Sequence, residues 1–181
     1  MVEAALEKIP LNNPSSVLDL GTGTGAIGIA IAKQRPQAQV TAIDASESAL
    51  AVAQANAKNL GTGNVEFVLS NWFAELHDRT FDVIVSNPPY IAEDDQHLHQ
   101  GDLRFEPISA LAAGKDGLDC IRHIISRASL HLNPHGWLML EHGYDQAEKV
   151  AQLLKQENFE AVSSAPDLSG ILRVTSGKKS Q

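Results

Sequence analysis

Asn87-Pro88-Pro89-Tyr90 follows directly on the apolar run Phe81-Asp82-Val83-Ile84-Val85. Proline carries no backbone N–H, so the peptide around Pro88 and Pro89 offers carbonyl oxygens with almost no competing donor. The Asn87 carboxamide adds another acceptor, and Tyr90 adds a flat face for stacking. At the end of a buried strand, such a slot suits a planar, conjugated NH2 group. Both protons are held, the plane is sandwiched, and one face of the nitrogen stays open to an electrophilic carbon. Taken alone the tetrapeptide also reads as a strand-to-loop turn, because Asn-Pro and Pro-Pro punctuate loops.

A second motif lies upstream. Val17-Leu18-Asp19-Leu20 ends in Gly21-Thr22-Gly23-Thr24-Gly25, and Ala26 to Ala32 has helical composition. Strand, glycine loop and helix, in that order, bring a ligand against backbone N–H groups at a helix N-terminus. The next apolar run, Gln39 to Ile43, ends in Asp44, which is placed to accept hydrogen bonds from a ribose diol. The pair therefore reads as a site for a nucleoside-containing cofactor. Gly23-x-Gly25-x-x-Gly28 fits the dinucleotide fingerprint, with Asp44 near the expected offset of ~20 residues, and by itself favours a nicotinamide or flavin. Two features argue otherwise. Asp19 completes Asp-x-Gly-x-Gly-x-Gly, which resembles the S-adenosylmethionine loop of Rossmann-like methyltransferases, and an oxidoreductase has no evident need for an acceptor-rich Asn-Pro-Pro-Tyr slot.

The elements that must hold these motifs alternate along the chain. Helical spacing covers Val2 to Ile9 and stops at Pro10; Ser46 to Leu60 is alanine-rich and stops at Gly61. Strands are expected at Val65 to Leu69 and Phe81 to Val85, and a helix from Asp119 to Leu132. Asn133-Pro134-His135-Gly136 reads as a turn into a strand Trp137 to Leu140; a helix Gln146 to Gln156 and strands Phe159 to Ser163 and Leu172 to Thr175 close the chain. The alternation predicts an α/β fold with a mainly parallel, doubly wound sheet, ligands binding at the carboxyl ends of the strands. At 181 residues, 43% hydrophobic and 20% charged, one soluble domain with a real core is expected. The sequence holds no apolar run of bilayer length and no signal-peptide pattern. Cys120 is the only cysteine, which excludes an internal disulfide framework and fits a cytoplasmic setting. A net charge of −8 argues against a broad phosphate-tracking surface, and so against direct nucleic-acid binding.

Leu18 to Ile27 and Ser86-Asn87-Pro88-Pro89-Tyr90-Ile91 together resemble the HemK/PrmC family of N(5)-glutamine methyltransferases, which modify the Gly-Gly-Gln loop of peptide chain release factors. The likeness extends through Gln100 to Pro107, Asp116 to Asp119, Leu140-Glu141-His142-Gly143 and Arg173-Val174. Asn-Pro-Pro-Tyr alone does not separate this family from enzymes that methylate adenine or guanine amino groups; Arg104-Phe105-Glu106-Pro107 and Glu141-His142-Gly143 favour glutamine. The resemblance implies a Rossmann-like class I S-adenosylmethionine-dependent methyltransferase, with an antiparallel strand near the C-terminus and S-adenosylhomocysteine as product. Carried over by position, Gly21, Thr22, Gly23, Thr24 and Gly25 pass beneath the methionine portion of the cofactor, and Asp44 binds the ribose. Trp72, in Asn71-Trp72, packs near the purine. Asn87 lines both cofactor and substrate, and Pro88, Pro89 and Tyr90 complete the amide slot. The family also carries an N-terminal helical domain that grips the release factor. Nothing ahead of Val17 corresponds to it, so residues 1–181 read as a single catalytic domain.

Other residues receive plainer readings. His97 and His99 in the acidic stretch 93–99 lack a third fixed ligand and read as a solvated loop, not a metal site. Glu141 and His142 read as structural hydrogen-bonding groups at the end of a strand, and Lys178 and Lys179 as a solvated end. On the residues alone, three readings stay open: a protein-glutamine methyltransferase, a nucleobase amino-group methyltransferase, and a non-catalytic S-adenosylmethionine-binding interaction domain.

Overall fold

The computed structural model describes residues 1–91 and 113–180. The expectations for the 93–99 stretch and for Gln100 to Pro107 lie outside the described residues. Among the described residues seven strands form one sheet: β1 (Ser15–Leu20), β2 (Ala38–Asp44), β3 (Val65–Leu69), β4 (Phe81–Ser86), β5 (Leu132–Glu141), β6 (Phe159–Pro166) and β7 (Leu172–Lys179). Their order across the sheet is β3-β2-β1-β4-β5-β7-β6. The first five are parallel, and β7 runs antiparallel to both of its neighbours. This is the expected class: α/β, mainly parallel, with an antiparallel strand near the C-terminus.

Side chains on successive strand residues point to opposite faces, and the strands are apolar on both. Leu18, Leu20, Ile43, Ile84, Leu138 and Leu140 face one layer, packed against Ile121, Ile124 and Ile125 of α4 (Asp119–Ala128) and Val150 and Leu154 of α5 (Ala147–Gln156). Val17, Val40, Val83, Val85 and Met139 face the other, against α1 (Val2–Leu6) and α2 (Ala26–Gln34). The remaining helix, α3 (Glu47–Leu60), starts where Ser46 Oγ accepts from Ala49 N–H at 3.2 Å and stops at Gly61 in the left-handed region. Among the described residues no helix is long and apolar enough to cross a membrane.

Four elements depart from expectation. Helix α1 ends at Leu6 instead of Ile9, because Arg35 donates to the carbonyls of Leu6 and Ile9 at 2.7 and 2.8 Å and the chain turns to meet it. The Asp119 helix stops at Ala128, followed by a 3-10 turn at Ser129–His131. Strand β5 then begins at Leu132, and Asn133 to Gly136 is a bulge within it, not a turn ahead of it. Phe81 faces Leu132 and Val83 already faces Trp137, with His135 at φ 65° in between. The Asn133 side chain holds this bulge by donating to Asp82 at 2.7 Å. Lys178 and Lys179, read as a solvated end, lie instead in β7, half-buried. The Lys179 ammonium donates to the Leu132 carbonyl at 2.7 Å, which ties the end of β7 to the start of β5.

Candidate active site

The strand order reverses between β1 and β4, and the crevice at their carboxyl ends is where such sheets take ligands. The glycine loop leaves β1 and Asn87-Pro88-Pro89-Tyr90 leaves β4, so the sheet brings both motifs to this one rim. Leu20 faces Ser86 across the pair. The fully buried Ser86 hydroxyl donates to the Leu20 carbonyl at 2.7 Å, tying the two strand ends together.

The loop after β1 satisfies itself. Thr22 N–H donates to the Ile43 carbonyl at 2.8 Å, Gly23 N–H to the Asp44 carboxylate at 2.9 Å, and Gly25 N–H to the Thr22 carbonyl at 2.9 Å. Asn56 on α3 braces the loop from outside through the Thr24 carbonyl at 2.9 Å. Asp19 occupies the centre. One of its oxygens accepts from the Thr22 hydroxyl at 2.6 Å and from Gly28 N–H at 2.9 Å, in the first turn of α2. Gly28 is required there, because a Cβ would stand 2.9 Å from that oxygen and 3.3 Å from Val40. The other oxygen, Oδ1, is buried without a hydrogen-bond partner among the described residues.

Burial pushes the Asp19 carboxyl up to about 6; the Thr22 and Gly28 hydrogen bonds oppose this and the negative charge of Asp44 adds to it. A carboxylate thus stands at the helix N-terminus, where a dinucleotide's pyrophosphate needs free N–H groups. This arrangement disfavours a pyrophosphate and suits a ligand bearing positive charge. An orphaned buried acid is costly until a cation or donor reaches it, and S-adenosylmethionine carries both an ammonium and a sulfonium. Asp44, half-buried, accepts from Gly23 N–H and from Ser46 N–H at 2.9 Å each, one on each oxygen, and retains lone pairs for a diol. Its direct effect here is to fix the shape of the loop.

Trp72 reaches the same loop from β3. Ser70 accepts from Glu75 N–H and donates to the Trp72 carbonyl, making a tight turn with Trp72 at φ 52°. The half-buried indole packs on the core and lies 3.7 Å from the position a Gly21 Cβ would take. The structure therefore brings Gly21 to Gly25, Asp44 and Trp72 together.

On the β4 side, Asn87 is exposed, Pro88 buried, and Pro89 and Tyr90 half-buried. Not every carbonyl in this segment is open. The Tyr90 carbonyl accepts from the Gln146 side chain at 3.0 Å, and that amide also reaches the Asp116 carbonyl at 3.2 Å. The Gln146 carboxamide oxygen accepts from Gly143 N–H at 2.8 Å. The buried Gln146 thus knots Tyr90, the 114–117 turn and the end of β5 into one unit. On the ring side, Arg173 of β7 donates to the Tyr90 hydroxyl at 3.1 Å, its guanidinium carbon 5.4 Å from the ring centre.

His142 is fully buried, and burial, as the largest effect, holds its imidazolium form below the ordinary range. Its Nδ1 lies 2.9 Å from the Gly143 carbonyl, which can only accept, so Nδ1 carries the proton and Nε2 accepts from the Thr175 hydroxyl at 2.8 Å. Both nitrogens are consumed. This residue joins β5 to β7 as a structural group, as expected, and has no free face for acid–base work.

Sequence reasoning passed over Gln146 and Arg173 as site residues and gave Asp19 only a signature role. The signal for Asp19 was present, an acid at the buried end of a strand. Nothing local marks Gln146, whose partner lies 56 positions away.

The model of the methyltransferase small domain matches residues 3–102. The chain belongs to that family. It is 51% identical over 178 residues to the release factor glutamine methyltransferase of Pseudomonas aeruginosa, covering 98% of this chain and 64% of that protein. The corresponding protein of Xylella fastidiosa is also 51% identical, over 98% of this chain and 65% of its own length. The chain thus spans less than two thirds of the length of these relatives. Among solved structures, a protein-(glutamine-N5) methyltransferase (release factor-specific) from Alicyclobacillus acidocaldarius superposes with a TM-score of 0.60 at 28% identity, covering 99% of this chain and 90% of that one. The class I methyltransferase fold seen in the sheet order is the one these comparisons share.

Proposed function

We propose that this domain transfers a methyl group from S-adenosylmethionine to the side-chain amide nitrogen of the glutamine in the Gly-Gly-Gln motif of peptide chain release factors. One observation carries the reading: a donor-poor Asn-Pro-Pro-Tyr slot stands across the β1/β4 crevice from a glycine loop built around an orphaned acid. The names of relatives at 51% identity support the choice of glutamine and of release factor as acceptor. A cytoplasmic setting accords with an activity on the translation machinery.

S-adenosylmethionine, when bound, supplies an electrophilic methyl group. The chain supplies the rest. Gly21 to Gly25 would pass beneath the methionine portion, with Asp19 answering its positive charge, while Asp44 would take the ribose hydroxyls and Trp72 would pack near the purine. A glutamine nitrogen is a poor nucleophile because its lone pair is delocalised into the carbonyl. The Asn87 side chain and the Pro88 carbonyl accept hydrogen bonds from its two N–H groups, fix the amide plane and favour pyramidalisation toward the methyl donor. Pro89 and Tyr90 close the slot. Fixing two reactants in attack geometry is worth several kcal/mol, up to about 7–11 in favourable cases. Acceptors aimed at the positive charge that develops on nitrogen add an electrostatic share. The methylated nitrogen is strongly acidic and loses its proton to water, so no side chain need act as base.

Incubation of unmethylated release factor with this chain and S-adenosylmethionine, followed by peptide mass spectrometry, tests the reading. One added methyl on the Gly-Gly-Gln glutamine is expected. Cofactor binding by calorimetry with methyl transfer only to RNA or DNA would instead assign a nucleobase amino-group methyltransferase.

A further inference from the structure

Tyr90 is held at two points by residues far from it in the chain, and the two do different things. Gln146 fixes its backbone carbonyl, and the 114–117 turn packs hard against that carbonyl, so close that a side chain at Gly117 would collide with it. The ring leans on the hydrophobic core, and among the described residues the side chain that bonds its hydroxyl is Arg173. Arg173 therefore completes the hold on the ring and sets the direction of its O–H bond. From β7 its side chain crosses the end of β5 to reach Tyr90 beyond β4, about two strand spacings or ~10 Å away. Its own backbone is pinned, because its carbonyl accepts from His142 N–H at 3.0 Å.

The chemistry of the contact has a direction. A guanidinium has five donors and no acceptor, so the Tyr90 oxygen accepts from Arg173. The phenolic proton is then left to point elsewhere. A primary carboxamide presents two N–H donors and one carbonyl acceptor, and the Asn87–Pro88 acceptors address only the donors.

We propose that Arg173 is a positioning residue that locks the Tyr90 ring and commits its O–H to the carbonyl oxygen of the substrate carboxamide. This rests on the glutamine reading above and deepens it, because a slot that reads the oxygen as well as the NH2 group selects an amide over an amine. Among the described residues Arg173 reaches the site through Tyr90, so it belongs to substrate recognition and not to the cofactor side.

Steady-state kinetics on the release factor with R173M, R173K, Y90F and the double variant R173M/Y90F test this, with calorimetry for the cofactor. R173M and Y90F are each expected to raise KM for the release factor by about tenfold, the loss of one hydrogen bond in a recessed site. R173K, which keeps a donor, recovers part of the loss. The double variant is expected to be no worse than about twofold below Y90F, because the arginine has nothing left to orient, and S-adenosylmethionine affinity stays within about twofold in all four. An R173M effect of undiminished size in the Y90F background, or wild-type kinetics in R173M, overturns the inference.

A second readout does not depend on turnover. The chain has two tyrosines, Tyr90 and Tyr144, so ring-labelled tyrosine NMR with Y144F for assignment reports Tyr90 alone. R173M is expected to move and broaden the Tyr90 ring signals, and unmoved signals overturn the clamp. If the wild-type chain methylates no glutamine while those signals do move, the assigned activity fails together with the carboxamide step, and the clamp itself stands.

Discussion

The two halves of the rim are built by opposite means. The glycine-loop half is local: Asp19 holds Gly28 nine positions on, and Asp44 holds Gly23 from 21 positions away. The acceptor half is assembled at long range, with Tyr90 fixed by Gln146 at a separation of 56 positions and by Arg173 at 83. One half carries a buried negative charge with a free lone pair, and the other presents neutral acceptors. Local construction lets the first half fold into shape as soon as three strands and two helices are in place. The second needs nearly the whole sheet.

Asn87→Ala is expected to separate the two halves of the rim most strongly. Asn87 is exposed, so the fold should survive, and turnover should fall at least about a hundredfold, as when one transition-state hydrogen-bonding group is deleted. Cofactor affinity, measured by calorimetry, should weaken only moderately. Comparable loss of binding and turnover would show that the two halves are not separable.

pH divides them next. The carboxyl of Asp19 in the folded chain sits at about 6, above its ordinary value of 3.8. Between those limits the native chain holds a proton that the unfolded chain has released. Stability of the unliganded protein should therefore fall as pH rises through that window, by about 3 kcal/mol in total, and then level off. S-adenosylmethionine affinity should run the other way, dropping up to about tenfold per pH unit below about 6 as the acid loses its charge. Denaturant titrations and calorimetry at matched pH check both signs. Asp19→Asn should abolish both dependences.

Within the glycine loop, two substitutions separate crowding from backbone conformation. Gly28→Ala should cost about 1–3 kcal/mol of stability by driving a methyl into Asp19 and Val40, and should weaken cofactor binding with it. Gly23→Ala meets nothing within 4 Å, but its φ of 56° should still cost about 1–2 kcal/mol. Smallest of all, Ser86→Ala should cost about 1 kcal/mol by removing the bond to the Leu20 carbonyl. Turnover should be nearly unchanged, since neither motif loses a contact. Chemical denaturation measures all three.

The same division explains what could be read in advance. Alternation of apolar runs with alanine-rich segments located β1 to β4, α2 and α3 to within a residue or two, because each is a locally consistent pattern ended by Gly61 or by a polar turn. The loop residues and Asp44 were legible for that reason. The bulge at Asn133 to Gly136 was not, since Asn-Pro-x-Gly is also how a turn is spelled, and only pairing with Asp82 on β4 decides between them. Lys179 looked like a tail because its anchor, the Leu132 carbonyl, lies 47 positions back. Gln146 and Arg173 have no sequence neighbours that betray a role. Their meaning exists only once β5 and β7 are side by side.

The placement of β7 has a consequence for synthesis on the ribosome. A nascent chain that has emerged only as far as β5 can close its cofactor loop, yet it still lacks Arg173 and leaves the Trp137 to Glu141 edge without its partner. An unpaired edge of this kind invites pairing with other chains. Half of the rim is therefore ready early, while competence toward an acceptor arrives with β7, which slots into the sheet between β5 and the already synthesised β6. Translation pausing before Leu172 should leave a species that binds nucleoside but cannot yet grip its substrate, and that is most exposed to aggregation.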